Sequence, residues 1–219
     1  MAGWRRSVPE QPLVKVCGLT DPAEAAACAE LGVWAIGVVF APESVRRVDV
    51  EQARVVCAAV PEHVRRVGVF VDPDPTMVAD AVAAAGLTDV QLHGRAVDVD
   101  RVRAAVRVPV FQGFAVHDAS DLVAAQSSRA DLVFLDASVA GRHGGTGQRF
   151  DWALLRHTPL ERRFVLAGGL DPQNVGEAVQ RVRPWAVDVS SGVEAGPGRK
   201  DLARVAAFIA AARRLAEVR

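Results

Sequence analysis

The sequence is short of three things, and each shortage removes a class of function. Its charge balances, with 26 lysines and arginines against 26 aspartates and glutamates, so no long-range field draws in nucleic acid or an anionic membrane. Only three cysteines are present, Cys17, Cys28 and Cys57. They do not cluster as metal ligands, and an odd, scattered set is a poor disulfide framework, which points to a reducing, cytoplasmic setting with no resident metal. No apolar run is long enough to span a bilayer. Residues 1–12 lack the apolar stretch of a secretory signal and are expected to be a flexible extension ahead of one domain over 13–219.

What the chain does have is a recurring junction between apolar runs and polar residues. Val14-Lys15-Val16 runs into Cys17-Gly18, Val90-Gln91-Leu92 into His93-Gly94, and 132–135 into Asp136; later, 164–167 runs into Gly168-Gly169 and 186–189 into Ser190-Ser191-Gly192. Continuous apolar runs mark parallel strands covered on both faces, and ligands bind at the carboxyl ends of such strands. Eight strands are predicted, at 13–17, 34–40, 66–71, 89–92, 109–114, 131–135, 163–167 and 185–189, with ends recurring roughly every 21 to 32 residues. Ala-rich helical patterns fill the intervals. Asp21-Pro22 opens the first as N-cap and first-turn proline, and Gly32 stops it. Asp49, Pro75, Asp118, Asp171-Pro172 and Lys200-Asp201 mark later helix starts, and Gly86 closes the third. This alternation predicts an α/β fold, a single-domain (βα)8 TIM barrel with its active site at the C-terminal ends of the strands, rather than a doubly wound sheet. Two connections after strands, 41–48 and 136–150, are longer than the others, and long loops at that end of a barrel carry function.

Glycine-rich backbone follows the last three predicted strands: Gly144-Gly145-Thr146-Gly147, Gly168-Gly169 and Ser190-Ser191-Gly192. Backbone of this kind exposes N–H groups, and a following helix adds its positive end, which suits a phosphate. One glycine pair is more often a tight turn, but recurrence after strands seven and eight matches the usual barrel phosphate site. Cys17 is open to two readings. It is either a buried structural thiol, as Cys28 and Cys57 are expected to be, or a base or nucleophile at a strand end. Asp136 closes an apolar strand, where a carboxyl must be paired or functional. His93 either tunes the site or satisfies backbone groups.

These segments, in order from 13 to about 210, resemble phosphoribosylanthranilate isomerase of tryptophan biosynthesis. The resemblance is carried by Lys15-Val-Cys-Gly-Leu-Thr20, Gly37-Val-Val-Phe-Ala-Pro-Glu-Ser-Val-Arg46, Val67-Gly-Val-Phe-Val71 and Val90-Gln-Leu-His-Gly94 in the first half. In the second half it continues through Leu135-Asp136, the Gly144–Gly147 run, Leu166-Ala-Gly-Gly-Leu170 and Val187-Asp-Val-Ser-Ser-Gly-Val-Glu194. It implies a cofactor-free barrel that converts N-(5′-phosphoribosyl)anthranilate to 1-(2-carboxyphenylamino)-1-deoxyribulose 5-phosphate, an Amadori rearrangement. It also implies roles for single residues: Cys17 as general base, Asp136 as general acid and Arg46 as ligand of the anthranilate carboxylate. Gly145, Gly168, Gly169, Ser190, Ser191 and Gly192 fall on substrate-binding segments, His93 is expected beside the substrate, and Asp188 is expected to make an inward hydrogen bond near the ribose. The expected partner is this small molecule, with no nucleic acid or membrane, and the chain is expected to act as a monomer or homodimer.

The chain departs from the family pattern at several places. Val45 and Arg47 flank Arg46 where a proline and an aromatic are usual, Val38 replaces a common phenylalanine, Glu24 a common aspartate and Ala137 a frequent hydroxyl residue; tyrosine is absent altogether. Two rival functions remain at this level, a histidine-pathway or dual-substrate phosphosugar isomerase and a phosphosugar-binding barrel without turnover. The first places aspartate where Cys17 stands, and intact Cys17 and Asp136 count against the second.

Overall fold

The computed structural model describes residues 10–94, 97–136, 152 and 154–214. Eight strands, β1 (Leu13–Cys17), β2 (Ala35–Val39), β3 (Arg65–Val71), β4 (Asp89–His93), β5 (Val110–Ala115), β6 (Leu132–Asp136), β7 (Phe164–Ala167) and β8 (Ala186–Val189), form a closed barrel in chain order. All neighbours are parallel, and β1 closes the ring by pairing Lys15 with Asp188 of β8 and Cys17 with Gly37 of β2. The helices are α1 (Pro22–Glu30), α2 (Val50–Ala58), α3 (Pro75–Ala85), α4 (Val99–Ala105), α5 (Ala119–Ser127), α6 (Leu154–His157), α7 (Val175–Val182) and α8 (Leu202–Arg213). The eightfold α/β barrel expected from the alternation is therefore the fold.

Helix starts follow local chemistry. Asp21, Asp49, Asp74, Asp98, Asp118 and Asp201 each sit in extended backbone and accept hydrogen bonds from the first turn of the next helix, satisfying N–H groups that lack partners within it. Gly86 ends α3 in the left-handed conformation, with φ of 65°, where a side chain would be strained. One predicted start moves. Asp171 accepts from the N–H groups of Gln173 and Asn174 and so caps a turn, and α7 begins only at Val175. A short antiparallel hairpin, β9 (Glu194–Gly196) with β10 (Arg199–Lys200), adds to the eight expected strands and follows β8 after a single 3-10 turn at Ser191–Val193.

Period-two alternation divides the core. Val14, Val16, Ile36 and Val38 point outward to pack with helix residues such as Ala25, Cys28 and Phe208. Ala35, Val67, Phe111, Leu132, Phe134 and Val165 belong to a second, smaller apolar group inside the barrel. At its N-terminal end Trp34 and Trp185, from the residues preceding β2 and β8, meet edge to face at 5.0 Å. The odd-numbered residues of β1 share the interior side, and above Leu13 they are Lys15 and Cys17, both polar.

Candidate active site

The C-terminal mouth collects the chemistry. Cys17 ends β1 and faces inward, because a methyl group added to Gly37 on β2 would lie 2.7 Å from its sulfur. Asp136 ends β6 two positions beyond Phe134 and four beyond Leu132, both inside the barrel, so strand alternation turns its carboxyl inward as well. The two residues of the expected acid–base pair thus stand at the same open end on different sides of the ring. Cys28 and Cys57 are buried in helices, where burial pushes both thiols up to about 11. They are inert packing residues.

Below the mouth lies a buried ion pair, one of whose members, Lys15, carries no role expected from the sequence. Lys15 is fully buried, and its ammonium donates to both carboxylate oxygens of Asp188, at 3.0 and 2.9 Å. Its Nζ sits 5.2 Å from the centroid of the Phe134 ring. Asp188, expected near the ribose, faces inward and spends its carboxylate on this ion pair. The contact with Asp188 and the nearby thiol keeps Lys15 charged against the cost of burial. The signal was in the sequence: a lysine flanked by valines in a strand, two residues before an inward thiol.

His93 ends β4 with its ring over Gly113 of β5, where any side chain would collide with it. Gln91, one inward position below, donates its Nε2 to the ring Nε2 at 2.8 Å. Burial holds the imidazole below its ordinary pKa, with Asp136 pulling the other way. A neutral ring that accepts at Nε2 carries its proton on Nδ1.

Arg46 lies in the loop after β2, itself tied down by backbone bonds from Ser44 to Ala41, Arg47 to Ser44 and Val48 to Val39. Its guanidinium reaches Glu194 in a two-pronged pair, Nε to Oε1 and Nη2 to Oε2, each 2.7 Å. Glu194 is buried and also accepts from Lys200 Nζ at 2.8 Å, while Lys200 donates to the Ser190 carbonyl. The Arg46 chain crosses Gly18, where a side chain would strike its Cδ. The carboxylate-binding candidate is therefore held at the mouth beside Cys17 rather than waving in solvent. Neither Glu194 nor Lys200 stood out as chemistry in the sequence. Glu24, one of the departures, fixes the same hairpin through Arg199 at 2.8 Å and the Lys200 N–H at 2.9 Å.

The glycine-rich ends of β7 and β8 meet. Gly168 and Gly169 have φ of 84° and 63°, and a side chain at Gly192 would collide with the Leu170 carbonyl. The Gly169 carbonyl is taken by Asn174 Nδ2 at 2.9 Å, so that loop is fixed by its own hydrogen bond. Ser190 precedes the 3-10 turn at Ser191–Val193 and makes no side-chain cap bond to it. Gly145 and the segment around it lie outside the described residues.

Residues 14–211 match the family model described as N-(5′phosphoribosyl)anthranilate (PRA) isomerase. A protein of Halorhodospira halophila named N-(5′-phosphoribosyl)anthranilate isomerase is 45% identical over 203 residues, which cover 90% of this chain and 94% of that one. The crystal structure of phosphoribosyl anthranilate isomerase from Thermotoga maritima superposes with a TM-score of 0.85 at 39% identity, covering 92% of this chain and 98% of that one. A structure of phosphoribosyl anthranilate isomerase in complex with reduced 1-(o-carboxyphenylamino)-1-deoxyribulose 5-phosphate gives a TM-score of 0.81 at 38% identity, with the same coverage.

Proposed function

Since this chain belongs to the N-(5′-phosphoribosyl)anthranilate isomerase family, we propose that Cys17 and Asp136 are the base and acid with which it carries out that family's reaction. The protein is an isomerase of tryptophan biosynthesis that interconverts an aldose and a ketose, turning N-(5′-phosphoribosyl)anthranilate into 1-(2-carboxyphenylamino)-1-deoxyribulose 5-phosphate. The observation that carries the assignment is the placement of an inward thiol and an inward carboxyl at one end of the barrel, on β1 and β6, beside a glycine-lined notch between β7 and β8.

Asp136, as general acid, delivers a proton to the ring oxygen as the C1′–O bond breaks, and the aniline nitrogen lone pair forms an iminium with C1′. The Cys17 thiolate then takes the C2′ proton, and the electrons of that C–H bond fall into an enolamine that tautomerises to the ketone. Acid and base must reach different atoms of one sugar, which groups on opposite arcs of a barrel mouth do. The sugar phosphate sits against Gly168, Gly169, Ser190, Ser191 and Gly192. The edge of the Arg46 fork not used by Glu194 takes the anthranilate carboxylate, and His93, neutral and fixed, lines the pocket near Asp136. The same reading gives a cytoplasmic enzyme acting as a monomer or homodimer. Its ligand is the phosphoribosyl substrate.

Turnover of the substrate by purified protein tests the function. Cys17→Ser and Asp136→Asn should each lower kcat by about 10² to 10⁴-fold while product affinity and melting temperature stay near those of the parent. Near-normal turnover in Cys17→Ser removes the thiol from the mechanism.

A further inference from the structure

A buried ion pair is a poor way to stabilise a barrel interior. Removing two charges from water costs much of what their attraction returns, and apolar residues of similar volume are commonly as stable. Phe134 and Ala186 give the pair an apolar side within the barrel, while Cys17, Asp136 and His93 give it a polar side toward the mouth, so the two charges stand where the apolar interior meets the site. The pair sits immediately below the catalytic end. Lys15 and Cys17 are two apart on β1 and share its inner side. The same added methyl at Gly37 that would press on the Cys17 sulfur would lie 3.2 Å from Lys15 Nζ. Ammonium and thiol therefore converge on one small space, open only because β2 carries no side chain there.

We propose that Lys15 is a positioning residue that acts through Cys17: its buried ammonium, anchored by Asp188, stabilises the thiolate that takes the substrate's C2′ proton. This rests on the assignment of Cys17 as the base. Burial holds the Cys17 thiol above its ordinary pKa on balance; Lys15 works against that by pulling it down, and Asp188 pushes it up less strongly. The other cations facing the thiol are Lys200 and Arg46, both already bound to Glu194. Across the barrel, Asp136 faces Asp188, and His93 feels the charge of Lys15. Lys15 loses no proton in the cycle. The proton moves from C2′ to sulfur, and the ammonium offsets the negative charge that sulfur carries beforehand.

Lys15→Met alone strands the Asp188 carboxylate and risks the fold, so the decisive protein is the double variant Lys15→Met, Asp188→Asn, which leaves neither charge buried alone. The measurement is the rate at which iodoacetamide alkylates Cys17 as a function of pH, without substrate, with the modified cysteine identified by peptide mass spectrometry. The alkylation midpoint should rise by about one pH unit or more in the double variant, at least as far in Lys15→Met if it folds, and the ascending limb of the kcat/KM profile should move with it. An unchanged or lowered midpoint in the folded double variant overturns the proposal while leaving the isomerase assignment intact. A raised midpoint in a protein whose parent shows no turnover does the reverse, supporting the Lys15–Cys17 coupling and removing Cys17 from the isomerisation.

Discussion

Glu194 shows how a single residue can matter without touching the reacting atoms. It faces two cations at once, Arg46 and Lys200, and aims the first. Glu194→Gln keeps an oxygen for one of them but loses the two-pronged carboxylate, so Arg46 is freed to wander. The expected result is a KM raised roughly tenfold or more, one lost charge-assisted bond of about 1.5–3 kcal/mol, with a smaller change in kcat; a fall in kcat alone would assign Glu194 to the chemistry. The same residue gives a pH signature. Burial alone would raise its carboxyl, but the bonds from Arg46 and Lys200 outweigh that and hold it below its ordinary value. Stability from a depressed carboxyl is fully present above the unfolded pKa and is lost as pH falls through the folded one. The melting-temperature gap between parent and Glu194→Gln should therefore be widest near neutrality and shrink as pH drops below about 4.3. The placement of Cys17, Asp136 and Arg46 at the barrel mouth was legible because each is a chemically distinctive residue next to an apolar run or inside a recognisable motif. Glu194 and Lys200 were not, since their meaning is a contact between residues 148 and 6 positions apart that no local pattern encodes.

At the scale of the element, the loops after β7 and β8 form one object. The Leu170 carbonyl occupies the space a side chain at Gly192 would need, and that carbonyl is backbone that cannot swing aside. Gly192→Ala should force the two loops apart and weaken inhibition by inorganic phosphate. Gly86→Ala, which meets nothing within 4 Å, should cost about 1–2 kcal/mol through its left-handed backbone yet leave the phosphate inhibition constant alone. Equal phosphate constants for Gly192→Ala and the parent would move the phosphate elsewhere. The strands themselves were readable to within a residue or so at their ends, because buried parallel strands give unbroken apolar runs. The β9–β10 hairpin was not. Its strands have three and two residues, too short for a period to show, and they are held by Glu24 of α1, which grips Arg199 and the Lys200 N–H from outside the hairpin, and by the ion pair of Glu194 with Lys200 across it.

At the scale of the whole molecule, the ring closes where the last strand finds the first, and α8 covers that region. Val205, Phe208, Ile209 and Ala212 of α8 are buried, packing into the outer core with Val14 and Val16 of β1. Phe208→Ala should cost about 3–5 kcal/mol of stability, measured by denaturant unfolding, because the cavity would open where chain ends must be held together; a loss below about 1 kcal/mol would mean the closure does not depend on this helix. The edge-to-face pair of Trp34 and Trp185 lies on the two flanks of β1, at the end of the barrel away from the mouth. In a chain without tyrosine, ultraviolet emission comes almost wholly from indole, so the protein carries its own optical gauge of ring closure. The indole–indole couplet in circular dichroism should appear only when β8 docks beside β1 during refolding, and it should stay constant when substrate fills the opposite end.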